Sequence, residues 1–237
     1  AGAIGATVLT TLAGATTGAV TSASVTSVTG TAVEAQAALD SAQLVSLDAA
    51  GVAISDAGAI AATVLTTLAG ATTGAVTSAS VTSISGTVVE AQAAFDSANL
   101  VSLGGVDVVV SDVGTVTAVA LNGLVAGTTG EIVSSNVAVI TGTAVQAQAA
   151  LDSIQLLSLD AVTVTISDAG SIVASVLTDL ANATGGNISS INITSLTGTG
   201  AEAQAALDDA QLLSLDAVDV VISDTGEVSA SLLNDLA

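Results

Sequence analysis

Hydrophobic and polar positions along the chain switch between two periods, and the same alternation returns four times. Residues Val20 to Val28 are rich in Val, Thr and Ser, which suit the pleated surface of a β-strand. From Thr31 the apolar residues follow helical spacing, with Ala35, Leu39 and Ala42 on one face. The pattern therefore predicts a strand followed by a helix.

A second strand and a second helix follow in each copy. The strand is clearest where Val162, Val164 and Ile166 alternate with threonines. It ends in a Ser-Asp pair such as Ser55–Asp56, and this aspartate is suited to cap the next helix. We expect that helix to bury Ile60, Val64 and Leu68 in the first copy and Val228, Leu232 and Leu236 in the last.

The start of the first helix carries its own signal. Thr31 is followed three residues later by Glu34, the spacing of a capping box. In that arrangement the hydroxyl and the carboxylate bond to the free amides at the helix start. We therefore expect the helix to begin directly after Thr31.

The pattern has a constant 56-residue period, which is marked by Gly30, Gly86, Gly142 and Gly198. A constant period without insertions indicates units that stack on one another. We predict an α/β solenoid of β-α coils of about 28 residues, with a parallel sheet on one side and helices on the other. The predicted single solenoid, 1–237, consists of a leading helix and four repeats: 1–13, 14–69, 70–125, 126–181 and 182–237.

Two resemblances follow from these motifs. The segment Ile188-x-x-Ile191-x-Ile193-x-x-Leu196 resembles the strand and turn of leucine-rich repeats. Over the full chain, Val-Thr-Gly-Thr-Ala, an Ala-rich helix and Ile-Ser-Asp-x-Gly resemble the low-complexity repeats of very large bacterial cell-surface and secreted proteins, such as those of cyanobacteria and marine bacteria. That resemblance implies a structural role outside the cell or at its surface.

The composition removes most enzyme chemistry. The chain has no Lys, Arg, His, Cys, Met, Trp, Tyr or Pro, and Phe95 is its single aromatic residue. Without imidazole, thiol or amine side chains it lacks the usual general base, thiolate nucleophile, Schiff base and zinc site. We therefore expect that the protein is not an enzyme.

The charge excludes anionic partners. A formal charge of −21 without a single Lys or Arg cannot neutralise phosphates, so we expect neither nucleic acid nor anionic membrane surfaces as partners. A mean hydropathy of +0.86 favours a folded chain. Thr, Ser, Asp or Gly interrupt every apolar run well before the roughly 20 residues of a membrane helix, so no membrane insertion is expected.

Aspartates recur at three positions eight residues apart, first at Asp40, Asp48 and Asp56. If coils stack, such residues align in columns of carboxylates, which are the ligands that Ca²⁺ prefers. The alternative is that they cap helices and are solvated. Calcium is the one cofactor that this pattern leaves open, and its candidate ligands are Asp40, Asp48, Asp56, Asp96, Asp112, Asp152, Asp160, Asp168, Asp208, Asp216 and Asp224.

Outward strand positions form a face rich in hydroxyl groups, which on a regular solenoid can order water and bind ice. Val109, Ala138, Val221 and two aspartates interrupt the columns when successive copies are compared, so a hydrated, passive face is the favoured interpretation. The hydroxyl and amide positions are Ser24, Thr26, Ser80, Thr82, Thr163, Thr165, Asn192 and Thr194.

The two ends of the sequence share one phase of the repeat, since Ala1–Ala13 corresponds to Thr225–Ala237. This indicates either a window from a longer array or a subunit that adds head to tail to further copies. We predict a structural, self-assembling repeat protein that forms or extends a filament outside the cell or at its surface. The alternatives are the stalk of a calcium-dependent giant adhesin and an ice- or glycan-binding solenoid.

Overall fold

The computed structural model describes residues 2–215 and 217–235, in which helices and parallel strands alternate as predicted. Counted from β1, five strands and two helices follow one another in the order β, α, β, β, α, β, β, and this order occurs four times between Gly2 and Ile222 before the last helix. The helices are α1 Ala6–Gly14, α2 Ala32–Leu39, α3 Ala62–Ala71, α4 Val88–Asp96, α5 Ala118–Gly127, α6 Ala144–Leu151, α7 Ala174–Ala183, α8 Gly200–Leu207 and α9 Ala230–Asp235.

The strands are two to six residues long, which is short for globular proteins. The predicted strand from Val20 to Val28 is two strands, β2 and β3. In chain order the strands are β1 Gly2–Gly5, β2 Val20–Thr21, β3 Val25–Gly30, β4 Leu44–Val45, β5 Gly51–Ile54, β6 Gly58–Ala61, β7 Val76–Thr77, β8 Val81–Gly86, β9 Leu100–Val101, β10 Asp107–Val110, β11 Gly114–Thr117, β12 Ile132–Val133, β13 Val137–Gly142, β14 Leu156–Leu157, β15 Thr163–Ile166, β16 Gly170–Val173, β17 Ile188–Ser189, β18 Ile193–Gly198, β19 Leu212–Leu213 and β20 Asp219–Ile222.

The chain divides into two compact units. Unit 1 comprises Ala1–Ser111 and Ala126–Val133, and unit 2 comprises Asp112–Val125 and Ser134–Ala237. Within unit 1, β1, β3, β5, β7 and β9 form one parallel sheet, β6, β8, β10 and β12 a second, and β2 pairs with β4. Within unit 2, β11, β13, β15, β17 and β19 form one parallel sheet, and β16, β18 and β20 another.

The strand register sets the length of a coil. In unit 1, Ile4 is paired with Val28, Val28 with Val52 and Val52 with Val76, so each step covers the same length of chain. Unit 2 has the same offset between β13 and β15 and between β15 and β17. Between two paired strands the chain passes through two further elements. A coil therefore consists of three successive elements and about 24 residues, which is within the range of solenoid repeats. We call the positions of these three elements the first, second and third place of the coil.

The α/β class with stacked coils and parallel pairing is confirmed, and the coil is shorter than predicted. A repeat of seven elements fills two and one-third coils of three places, so one repeat does not divide into two equal coils. The second place in successive coils of unit 1 is taken by α1 and α2 and then by β6, β8 and β10. The third place is taken by β2 and β4 and then by α3 and α4, so helices and strands share places instead of occupying opposite sides.

The core is built from central strand residues and small helix residues. Val28, Val52 and Val76 are at most 1 % exposed. In α2 the buried face consists of residues three apart, Ala32, Ala35 and Ala38. Small side chains at these positions let the helix lie close to the neighbouring strands.

The helix faces predicted from the sequence need correction. Leu39 is half-buried at the end of α2, and Ala42 is exposed beyond it. Ile60 belongs to β6, because α3 starts only at Ala62; α3 then buries Ala62, Leu65 and Leu68, while Val64 is half-buried. In the last copy, Val228 precedes α9 and Leu236 lies outside the described residues. Within the part of the chain that is described, no helix is both long and apolar enough to cross a membrane.

Candidate functional site

The predicted capping box is present at the start of α2. Thr31 Oγ1 accepts a hydrogen bond from Glu34 N at 3.3 Å, and Glu34 Oε2 accepts one from Thr31 N at 2.8 Å. The same reciprocal pair opens α4, α6 and α8, with Gln146 in place of glutamate in α6. These glutamates therefore have a structural role at helix starts.

The aspartates that follow β5, β15 and β20 each cap a helix of the preceding coil. Asp56 Oδ2 accepts a hydrogen bond from Ala32 N at 2.6 Å, and Asp168 Oδ2 accepts one from Ala144 N at 2.7 Å. The prediction that Asp56 caps the following helix is wrong, since the N-cap of α3 is Ala61 and makes no side-chain cap bond. The chain between Ala32 and Asp56 completes one coil, which places Asp56 beside the start of α2.

The aspartates at the ends of the Ala-rich helices each bind a glutamine of the same helix. Asp40 is the C-cap of α2, and its Oδ1 accepts a hydrogen bond from Gln36 Nε2 at 2.8 Å. Equivalent bonds of 2.8 to 2.9 Å are made by Asp96, Asp152 and Asp208.

Asp48 lies in an exposed turn and joins two coils through its backbone. Its carbonyl oxygen accepts hydrogen bonds from Thr73 N at 2.7 Å and from Thr72 Oγ1 at 3.1 Å. Asp160 accepts an equivalent backbone bond from Gly185 N. The corresponding Asp216 lies outside the described residues.

The calcium candidates thus occupy three different environments: helix ends, turns, and the positions of Asp56, Asp112, Asp168 and Asp224 after strands. Within residues 2–215 and 217–235, no group of three or more acidic side chains is arranged to hold a metal ion. Several of the carboxylates already accept hydrogen bonds from helix amides. Calcium binding stays a prediction from the sequence alone.

Buried hydroxyl groups that sequence analysis missed also join successive coils. Ser134 Oγ donates to Leu157 O at 2.9 Å, and Ser190 Oγ donates to Leu213 O at 2.7 Å. Thr128 Oγ1 donates to Val106 O at 2.6 Å. The recurrence of a serine at the same position of each repeat is the signal, but it does not reveal the partner carbonyl, which lies one coil away. The buried hydroxyl residues are Ser22, Thr72, Ser78, Thr128, Ser134, Thr184 and Ser190.

Three glycines mark places where backbone passes close to backbone. A Cβ atom on Gly74 would lie 2.5 Å from Ala50 O, and one on Gly130 would lie 2.3 Å from Val106 O. Gly186 has the same relation to Val162 O, at 2.3 Å. Any side chain at these positions would displace the preceding coil.

The register of unit 2 sorts the hydroxyl face into rows that the comparison of successive repeats did not show. Thr117 is paired with Thr141, Thr141 with Thr165, and Thr165 with Ser189, each one coil after the last. The next position in the row is Leu213. Val109 and Val221, expected to interrupt this face, lie in the other sheets, on β10 and β20. Of the predicted face positions only Thr165 belongs to this row, because Thr26, Thr82 and Thr194 lie on strands of other sheets.

A groove of about 410 Å³ lies in unit 1 between α2 and α3. One side chain in it is incompletely bonded, because Gln36 Oε1 is buried and has no hydrogen-bond partner among the described residues. The groove is lined by Ala32, Val33, Gln36, Ala37, Asp40, Thr63, Val64 and Thr67.

Comparisons with known proteins add no assignment: no family model matches the chain, and no curated protein or solved structure matches it significantly. The observed repeat of strands and helices also departs from the leucine-rich pattern. Ile191, which that pattern would place among the core positions, is 69 % exposed, while Ile188 and Leu196 are fully buried.

Proposed function

We propose that the chain is a structural, non-enzymatic repeat module that forms or extends a filament outside the cell or at its surface. The observation that best supports this proposal is a backbone hydrogen bond between successive coils that recurs in both units. Val52 N donates to Ala75 O, and Val108 N donates to Glu131 O, at 2.8 and 2.7 Å. Val164 N makes the same bond in unit 2.

Val220 occupies the equivalent position in the fourth copy. Val52, Val108 and Val164 are 0 to 1 % exposed, whereas Val220 is half-buried. Val20 in β2 is likewise half-buried, although its counterpart Val76 in β7 is fully buried. A further coil stacked on either end would bury these residues and continue the ladder, whether it came from the same longer chain or from a second copy.

The composition is in keeping with this role. With no Cys, Lys or Arg, cohesion between coils cannot come from disulfides or from ion pairs with these side chains, and the contacts described are apolar packing and hydrogen bonds. The partner in this proposal is the chain itself, stacked head to tail. The cell-surface location is supported by the resemblance to low-complexity surface repeats.

Negative-stain electron microscopy of the purified chain, with and without EDTA, tests the proposal. We expect fibres of uniform width in these images. X-ray diffraction from aligned fibres should show the spacing of about 4.8 Å between parallel strands. Fibres that dissolve in EDTA would assign a role to bound calcium. A chain that stays monodisperse at every concentration would contradict self-assembly and favour a spacer within a longer protein.

Matched variants at one residue test the mode of stacking. Val220→Pro removes the amide equivalent to Val52 N, which donates to the following coil, and we expect it to stop fibre growth. Val220→Thr keeps the amide and should still assemble. Equal growth of both variants would show that assembly does not use this end of the ladder.

The hydroxyl row of unit 2 favours a second candidate function, the binding of ice. Parallel strands lie about 4.8 Å apart, so Thr117, Thr141, Thr165 and Ser189 form a regularly spaced line. Thermal hysteresis and inhibition of ice recrystallisation are the measurements. Thr141→Val should reduce both. Thr29→Val should reduce neither, because Thr29 is paired with Ala53 and therefore does not belong to a continuous row of hydroxyl groups. Absence of thermal hysteresis in the unmodified chain would reject this candidate.

A further inference from the structure

One face of α8 is covered by α9, a helix that has the same place in the repeat as α1. α9 packs against α8, as α3 packs against α2 and α7 against α6. A Cβ atom on Gly200, the first residue of α8, would lie 2.7 Å from Leu232 Cδ2, so Leu232 fills the space beside this glycine. The residue of α1 at the position of Leu232 is Val8. By repeat position, two segments of this sequence therefore suit the same face of α8.

α9 is less well buried than α1. Leu233 is 47 % exposed, whereas Leu9, at the same position in α1, is 2 % exposed. Ala230 is exposed, whereas the equivalent Ala6 is fully buried. Among residues 217–235, no strand directly precedes α9, although β1 directly precedes α1. Release of α9 from α8 would therefore expose little apolar surface that is not already exposed.

α1 has apolar side chains that lack the cover found in later copies. Leu12 is 47 % exposed, whereas the equivalent Leu68 of α3 is fully buried. Val8 is 50 % exposed, whereas the equivalent Val64 is half-buried and lines the groove beside α2. The difference is that α3 has a preceding helix, α2, packed against it. In the last copy the helix that corresponds to α2 is α8.

We propose that the face of α8 under α9 is the docking site for β1 and α1 of a second copy, and that α9 is a displaceable cap on this site. In the exchange, Val8 of the incoming copy takes the place of Leu232 beside Gly200, and the 56-residue period continues without a break. Stacking on top of a seated α9 would break the period, because α9 and the incoming α1 have the same place in it. This inference rests on the proposed self-assembly and specifies its contact and its control.

Charge favours the exchange in the same direction. The segment 225–237 contains two acidic residues, Glu227 and Asp235, whereas 1–13 contains no charged side chain. α8 has Glu202 in its first turn. In a chain of formal charge −21, the uncharged segment meets less repulsion beside α8 than the acidic one.

A disulfide between α8 and α9 tests the exchange, because the full chain has no cysteine of its own. Gly200→Cys with Leu232→Cys places the two thiols at an existing contact. The helices equivalent to α8 already carry a side chain at this position, in Ala32, Val88 and Ala144. We expect fibres of the oxidised variant to grow about tenfold more slowly, or less, than those of the same variant after reduction, because the cross-link opposes release of α9. Light scattering measures the growth, and equal growth of the two forms would overturn the exchange while leaving head-to-tail stacking intact.

Matched substitutions at one repeat position separate the roles of the two helices. Leu232→Ala loosens α9 and should speed fibre growth about fivefold, whereas Val8→Ala removes apolar contact from the incoming α1 and should slow growth by a similar factor. Stacking without exchange predicts no acceleration by Leu232→Ala, so an unchanged or slower rate would overturn the proposal. Monomers in every sample, the reduced variant and Leu232→Ala included, would instead overturn the proposed self-assembly and this inference with it.

Discussion

Asp56 caps a helix that precedes it in the sequence, since its Oδ2 accepts a hydrogen bond from Ala32 N, 24 residues earlier, at 2.6 Å. The bond satisfies one of the free amides at the start of α2. It also fixes the end of β5 against the preceding coil. One carboxylate therefore serves both a helix and the stacking of coils.

Removing that carboxylate should destabilise unit 1. We expect Asp56→Ala to lower the free energy of unfolding by about 1 kcal/mol, the usual cost of losing an N-cap, and Asp56→Asn to cost less. Urea unfolding followed by circular dichroism measures both. Asp48→Ala, which removes an exposed carboxylate from a turn, is the control and should be close to neutral. A loss as large in the control would show that net charge, and not the cap, sets the effect.

Gly74 and Gly18 occupy the same position in two copies but differ in surroundings. A Cβ on Gly74 would lie 2.5 Å from Ala50 O, whereas the nearest atom to one on Gly18 is Thr16 Oγ1 at 3.5 Å. Gly74→Ala should therefore cost about 2 kcal/mol or more, through displacement of the preceding coil, and Gly18→Ala should be close to neutral. Thermal unfolding of the two variants measures the difference. Similar melting temperatures would mean that the backbone at Gly74 relaxes at little cost.

Local signals in the sequence predicted the elements, but the stacking partners were not predictable in the same way. The Thr31–Glu34 capping box is encoded within four residues and was predicted correctly. The partner of Asp56 depends on coil length, which the period of the repeat hides because it equals two and one-third coils. For the same reason, comparing successive repeats did not reveal the row from Thr117 to Ser189. Its members are one coil apart, so each stands at a different position within the 56-residue repeat.

Ser102 has a left-handed backbone conformation, with φ of 75°, as do its three counterparts, Ser46, Ser158 and Ser214. This conformation is unfavourable for residues with a Cβ atom, so Ser102→Gly should stabilise the protein by up to about 1 kcal/mol. Ser102→Val should destabilise it by more than about 1 kcal/mol, because a β-branched residue tolerates this region least. Urea unfolding measures both. Ser97, with φ of −72°, is the control, where replacement by glycine should destabilise. Stabilisation at both serines would contradict this explanation, because glycine relieves backbone strain only where φ is positive and otherwise favours the unfolded chain.

Glu34 and Gln146 make the same capping box with and without a charge, which allows the geometry and the charge to be separated. Glu34 Oε2 accepts from Thr31 N at 2.8 Å, and Gln146 Oε1 accepts from Thr143 N at 3.0 Å. Glu34→Gln should therefore keep the box and lose only the attraction between a carboxylate and the helix start, about 0.3 to 1 kcal/mol in low salt. Glu34→Ala should cost more, because Thr31 N then loses its acceptor.

The salt dependence of the two losses, measured by urea unfolding at low and high salt, distinguishes their causes. The Glu34→Gln loss should shrink in high salt, where the interaction of a charge with the helix dipole is screened, while most of the Glu34→Ala loss should persist. Gln146→Glu in the third repeat is the reverse experiment and should gain what Glu34→Gln loses. If Gln146→Glu instead destabilised the chain at every salt concentration, repulsion among its 21 acidic side chains would outweigh the helix dipole at this position.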